Sequence, residues 1–89
     1  MEIREQVSSF IRSNFYVPES LKLTDEASLL EHGIIDSTGV LELVCFLETT
    51  FGIEVHDDEM LPENLDSIGA IANYVDRKLG SRKEIELVA

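Results

Sequence analysis

Apolar residues recur at Ile3, Val7, Phe10 and Ile11. That is the i, i+4, i+7, i+8 spacing of one helical face, and it predicts a helix over residues 2–14 that ends before Pro18. From Phe15 to Asp36 the apolar positions (Leu21, Leu23, Leu29, Leu30, Ile34, Ile35) keep no sustained period. A connection of about twenty residues exceeds the usual loop, so its leucines must tie it down or it must hold a helical turn near residues 28–31, stopped by Gly33. The period returns with Val40, Leu43, Val44, Leu47 and Phe51, which predicts a second helix over residues 37–50. Asp36 and Ser37 both suit its start and Gly52 its end. Pro62 fits the first turn of a short helix over residues 62–65. Ser67 then caps a last helix with Ile68, Ile71, Ala72, Val75 and Leu79 inward, ended by Gly80. Only Ile53, Glu54 and Val55 look strand-like, and three residues do not make a sheet. The fold class predicted is all-α, a four-helix bundle of three main helices plus one short one, with the long loop between the first two. One domain spans residues 1–80, and residues 81–89 form a flexible tail.

Composition agrees with one small globular domain: 89 residues, 44% hydrophobic and 28% charged. Charge narrows the choice of partner. Eighteen acidic against seven basic residues give a net charge of -11, which opposes contact with phosphate backbones or anionic lipid. No nucleic acid and no membrane partner is expected. No apolar run reaches transmembrane length, and the N-terminus interleaves charge where a signal peptide needs an apolar stretch. The single Cys45 cannot form an internal disulfide, and with the two preceding observations this makes the cytoplasm the expected location. A monomer is expected. All basic residues lie near the ends of the chain; between Leu23 and Asp76 there are thirteen carboxylates and no Lys or Arg. An anionic middle of this kind either keeps the chain dissolved or attracts a basic protein.

Ser37 is the candidate chemical group. A serine at a helix head ordinarily caps it, its hydroxyl accepting an orphan backbone N–H. The same free N–H groups and the positive end of the helix dipole also suit a phosphate on the serine oxygen. Small Gly39 leaves space beside it. Catalytic arrangements fare worse. A nucleophile elbow needs Gly two residues before the serine, where Ile35 stands, and His32 and His56 read as surface residues rather than a catalytic base. Asp57, Asp58 and Glu59 lack the spacing of a calcium loop and read as an acidic helix start. Cys45 has no metal-ligand partner at the right spacing and reads as a small apolar contact, so no metal site is expected.

Gly33-Ile34-Ile35-Asp36-Ser37, then Val40, Leu41-Glu42-Leu43-Val44, Leu47-Glu48, Phe51-Gly52-Ile53-Glu54-Val55 and Asp57-Asp58-Glu59 resemble the acyl carrier protein family. The likeness spans about residues 3–79 and includes Asn64-Leu65-Asp66-Ser67-Ile68. It implies a four-helix carrier-protein bundle that presents Asp36-Ser37 at the head of its second helix. It also implies that a phosphopantetheinyl transferase moves 4′-phosphopantetheine from coenzyme A to Ser37. Many fatty-acid carriers have Leu after the serine and then an acidic residue, whereas Thr38 and Gly39 stand here. The stretch is closer to carriers of secondary metabolism and to D-alanyl carriers, and the Gly-Gly-His-Ser of peptidyl carriers is absent. Acyl and aminoacyl cargo both stay open.

A protein of this kind is not an enzyme: it holds a thioester on a flexible arm and raises its effective concentration at each partner. On a wheel of 100° per residue, Leu43, Val44, Leu47 and Phe51 fall with Val40 on one side. Thr38, Glu42, Cys45, Phe46 and Thr49 fall on the other, with Leu41 and Glu48 at the margin. Apolar residues ringed by carboxylates outline a docking face, for which we select Thr38, Leu41, Glu42, Cys45 and Glu48. Phe46 has a second reading, as core folded back under the long loop. The partners implied are the transferase, an acyl- or aminoacyl-activating ligase, and downstream synthases or transferases with basic docking surfaces, steered by charge. The alternative is an unmodified acidic helical module that binds a basic protein through the same face.

Overall fold

A computed structural model of the chain describes residues 3–88, with side chains described as far as residue 80. Four α-helices pack around one apolar core: α1 (Ile3–Asn14), α2 (Ser37–Phe51), α3 (Pro62–Leu65) and α4 (Ile68–Val88). A 3-10 turn, Asp57–Glu59, precedes α3, and no strand occurs among the described residues. The all-α bundle predicted from the periodicity is the fold observed.

The helices α2, α3 and α4 begin or end where a residue with the right chemistry stands. Asp36 caps α2 with its side chain, Pro62 opens α3 at a position where a missing N–H is harmless, and Ser67 Oγ accepts the Ala70 N–H at 3.1 Å to start α4. Gly52 ends α2 in the left-handed region, φ 68°, with its N–H on the Glu48 carbonyl at 3.0 Å.

Val7 and Ile11 of α1, Leu43 and Leu47 of α2, and Ile71 and Val75 of α4 are fully buried together. Burial of each such side chain contributes about 1.5–3 kcal/mol. Ile53 and Val55 both turn into this core from the extended segment after α2. Tyr74 joins them at 2% exposure, a core member the periodicity did not select.

The long loop over residues 15–36 is packed as its leucines require. Leu29 is fully buried, Ile34 and Ile35 nearly so, and the turn near residues 28–31 closes with His32 N–H on Ser28 O and Gly33 at φ 68°. Asp66 holds the loop against the α3–α4 junction. Its carboxylate accepts the Ser28 hydroxyl at 2.7 Å and the Leu30 N–H at 2.9 Å, while its carbonyl accepts the Leu29 N–H at 2.7 Å.

Two expectations need correction. The backbone of α4 runs through Gly80 to Val88, because glycine weakens a helix without ending it unless it turns left-handed, and Gly80 does not. The side chains of the expected tail, residues 81–89, lie outside the described residues. Phe46 is half-buried rather than outward: its ring stacks on Phe10 of α1, centroids 4.1 Å apart and planes at 15°. The cover that the structure shows is aromatic: the ring of Phe10 on the neighbouring helix, with Phe51 edge-on at 6.0 Å.

Candidate functional site

Ile34 and Ile35 are sunk in the core at the end of the loop, and Gly39 is buried two residues into α2. The residues between them, Asp36, Ser37 and Thr38, are thereby lifted to the surface. Asp36 has extended backbone, and its Oδ1 accepts the Gly39 N–H at 2.7 Å. The capping task that the sequence allowed to either residue therefore falls to Asp36. The Ser37 hydroxyl is left free of it, exposed at the first residue of a 15-residue helix.

Ser37 also stands at the mouth of a cavity of about 360 Å³. Leu29, Ile35, Val40, Met60 and Leu65 give it apolar walls, with Leu30 and Leu61 at the opening, 43% and 42% exposed. Asp66 is its polar wall residue besides Ser37, and the two oxygens of that carboxylate already hold Ser28 and Leu30. Neither His32 nor His56 lines this cavity. A phosphate on Ser37 would find backbone N–H groups and a helix dipole, a contribution of about 0.3–1 kcal/mol.

Of the expected docking residues, Thr38, Leu41, Glu42 and Cys45 are exposed along one side of α2, with Leu41 at 57%. Leu41, Glu42 and Cys45 line a shallow groove against Phe10 and Asn14 of α1. Glu48 departs from its expected solvent-facing position. It is half-buried, and its carboxylate accepts the Val55 N–H at 3.0 Å, fastening the segment after Gly52 to α2.

Sequence reasoning missed Glu59. Its Oε1 accepts from the Lys78 ammonium at 2.9 Å, the Tyr74 hydroxyl at 3.1 Å and the His56 N–H at 3.1 Å, and its carbonyl accepts from Asn64 Nδ2 at 2.8 Å. These bonds tie the 3-10 turn and α3 to α4. The Lys78 hydrogen bond, with those of His56 and Tyr74, holds the Glu59 carboxyl below its usual range against the opposing effect of burial. Burial, then the bond to Glu59, pushes the Tyr74 phenol up to about 12. No local spacing marks these partners, since Lys78 lies 19 residues from Glu59.

The head of α2 thus offers an exposed serine beside an apolar cavity, and comparison with known proteins assigns the class of protein that presents it. Residues 5–75 match the family described as phosphopantetheine attachment site. Over 79 residues the chain is 35% identical to a protein of Thermotoga maritima named acyl carrier protein, an alignment that covers 89% of this chain and 94% of that one. The chain belongs to the phosphopantetheine-attachment family of acyl carrier proteins. It is a carrier and not itself an enzyme, and its cofactor is covalent 4′-phosphopantetheine. No helix among the described residues is long and apolar enough to cross a membrane.

Proposed function

We propose that Ser37 is the residue that carries 4′-phosphopantetheine, and that the protein presents acyl thioesters on this arm to partner enzymes in the cytoplasm. The observation that carries the reading is the division of labour at the head of α2: Asp36 caps the helix, and Ser37 is left exposed beside it. In loading, the Ser37 oxygen bonds to the phosphorus of coenzyme A that bears pantetheine. The bond from that phosphorus to the 3′,5′-ADP oxygen breaks, and the hydroxyl proton passes to a base on the transferase. The arm, once attached, supplies a terminal thiol that forms thioesters. The chain's own residues present it: Asp36 holds the helix start, and Thr38, Leu41, Glu42 and Cys45 offer the surface that an activating ligase, a synthase or a transferase reads.

The apolar cavity at Ser37 favours acyl over aminoacyl cargo, since its walls cover hydrocarbon and its carboxylate is already engaged by two donors. Thr38 and Gly39 after the serine depart from the common fatty-acid pattern, which supports a kinship with carriers of secondary metabolism or with D-alanyl carriers.

Intact mass after incubation with coenzyme A and a phosphopantetheinyl transferase tests the attachment. One added phosphopantetheinyl group, abolished by Ser37→Ala, is the expected result. A folded chain that gains no mass with several transferases would instead be an unmodified acidic module that binds a basic protein.

A further inference from the structure

Gly39 has no conformational reason to be glycine. It lies within α2 with φ outside the left-handed region, where glycine only weakens a helix. Its reason is spatial. A Cβ at this position would lie 2.8 Å from Cε1 of Phe15, 3.3 Å from Asp36 Oδ1 and 3.4 Å from Ile35 Cγ2. The first distance is shorter than carbon atoms tolerate, so the ring edge of Phe15 occupies the space a side chain would take.

The ring is itself held. Phe15 follows directly on α1, its N–H bonded to Ile11 O at 2.9 Å. It meets Phe10 edge-on with centroids 5.9 Å apart, and Phe10 stacks on Phe46 of α2. An aromatic chain thus runs from the end of α1 to α2, and Phe15 closes it against the first turn, two residues from Ser37. The same glycine donates the 2.7 Å bond that Asp36 accepts. Whatever moves the ring or fills the glycine moves the cap and the serine with it.

We infer that Phe15 and Gly39 form a size-matched pair that positions the Ser37 hydroxyl for group transfer. The inference rests on Ser37 being the attachment residue. Phe15 acts through Gly39 and the Asp36 cap, so it is a positioning residue and not part of the surface that binds the transferase.

A double-mutant cycle tests it, using the full chain with coenzyme A and a transferase. Gly39→Ala adds a methyl against the ring, Phe15→Leu removes the ring edge and leaves a gap, and the double variant restores the fit. Each single change is expected to lower kcat for modification about tenfold with KM little changed, because the docking surface is intact and only the pose of the hydroxyl shifts. The double variant is expected to recover to within about threefold of the parent, a strong departure from additivity. Amide exchange of the residue 39 N–H reads the cap without any loading: faster in each single variant, slower again in the double. If Gly39→Ala does not fold, Phe15→Leu and the double variant still decide the matter.

Parent-like kcat in Phe15→Leu, or losses that simply add in the double variant, would overturn the pairing while leaving Ser37 as the attachment site. A parent chain that gains no mass would overturn the attachment reading and the proposal with it, and that result is distinct from both others.

Discussion

Asp66→Ala should detach the long loop from the α3–α4 junction. The substitution deletes both side-chain acceptors, for Ser28 Oγ at 2.7 Å and for Leu30 N–H at 2.9 Å, and leaves the backbone bond from Leu29 in place. Hydrogen bonds to a charged acceptor contribute about 1.5–3 kcal/mol each. The Leu30 bond is exposed, so water replaces much of it, whereas Ser28 is half-buried and loses more. Together the loss comes to about 2–3 kcal/mol. A domain of this size has about 4–13 kcal/mol in all, so the change is a large part of the total. It should lower Tm by about 10–20 °C. Urea titration followed by far-ultraviolet circular dichroism should show a lower midpoint at an unchanged slope. Asp66→Asn, which keeps one acceptor and turns a donor toward the other partner, should lose part of the same stability. Glu42→Gln is the control, since its exposed side chain takes no part in the bonds that hold the fold, and should stay within about 0.5 kcal/mol of the parent. Asp66→Ala with the stability of that control would refute the argument that this carboxylate holds the loop.

The Glu59 carboxyl is held below its ordinary value of 4.5 in the folded state, so its contribution to stability is full above about pH 4.5 and is lost as pH falls through the lowered folded value. Denaturation of the parent and Glu59→Gln across pH 3–7 should therefore show a difference that shrinks on the acid side. Tyr74 follows the opposite sign: its phenol should resist ionisation until about pH 12, and the stability it lends should fade as pH rises past 10 toward that value. Glu42→Lys should slow modification of Ser37 at low salt while leaving Tm unchanged, whereas Glu48→Lys should also cost about 1–2 kcal/mol, because the Val55 N–H loses its acceptor. A medium-chain acyl thioester on the arm should raise Tm relative to the free thiol, and an aminoacyl thioester should not; equal shifts would remove the preference for acyl cargo.

The helices were legible in the sequence because their punctuation is local. Asp36, Gly52, Pro62 and Ser67 act within four residues of themselves, and the structure uses each as its chemistry suggests. What joins one helix to another was not legible. Ser28 and Asp66 are 38 residues apart, and the stacked rings of Phe10 and Phe46 belong to different helices. Periodicity says which side of a helix turns inward; it is silent on what covers the rest, which is why Phe46 and the marginal Glu48 fall outside the inward stripe and yet are half-buried. Gly80 misled for another reason, since only the backbone dihedral distinguishes a glycine that ends a helix from one that is merely inside it. At the site, the position of Ser37 was readable, but the assignment of the cap to Asp36 and the contact of Phe15 with Gly39 required coordinates.

The bonds that fasten α2 run through Asp36 at its head and Gly52 and Glu48 at its tail, and Thr38, Leu41, Glu42 and Cys45 contribute to none of them. The outward lettering of this helix can therefore be rewritten at almost no thermodynamic penalty. On the docking surface proposed above, a lineage of such carriers could exchange one set of client enzymes for another by ordinary surface drift, keeping its foldedness constant while its social circle changes.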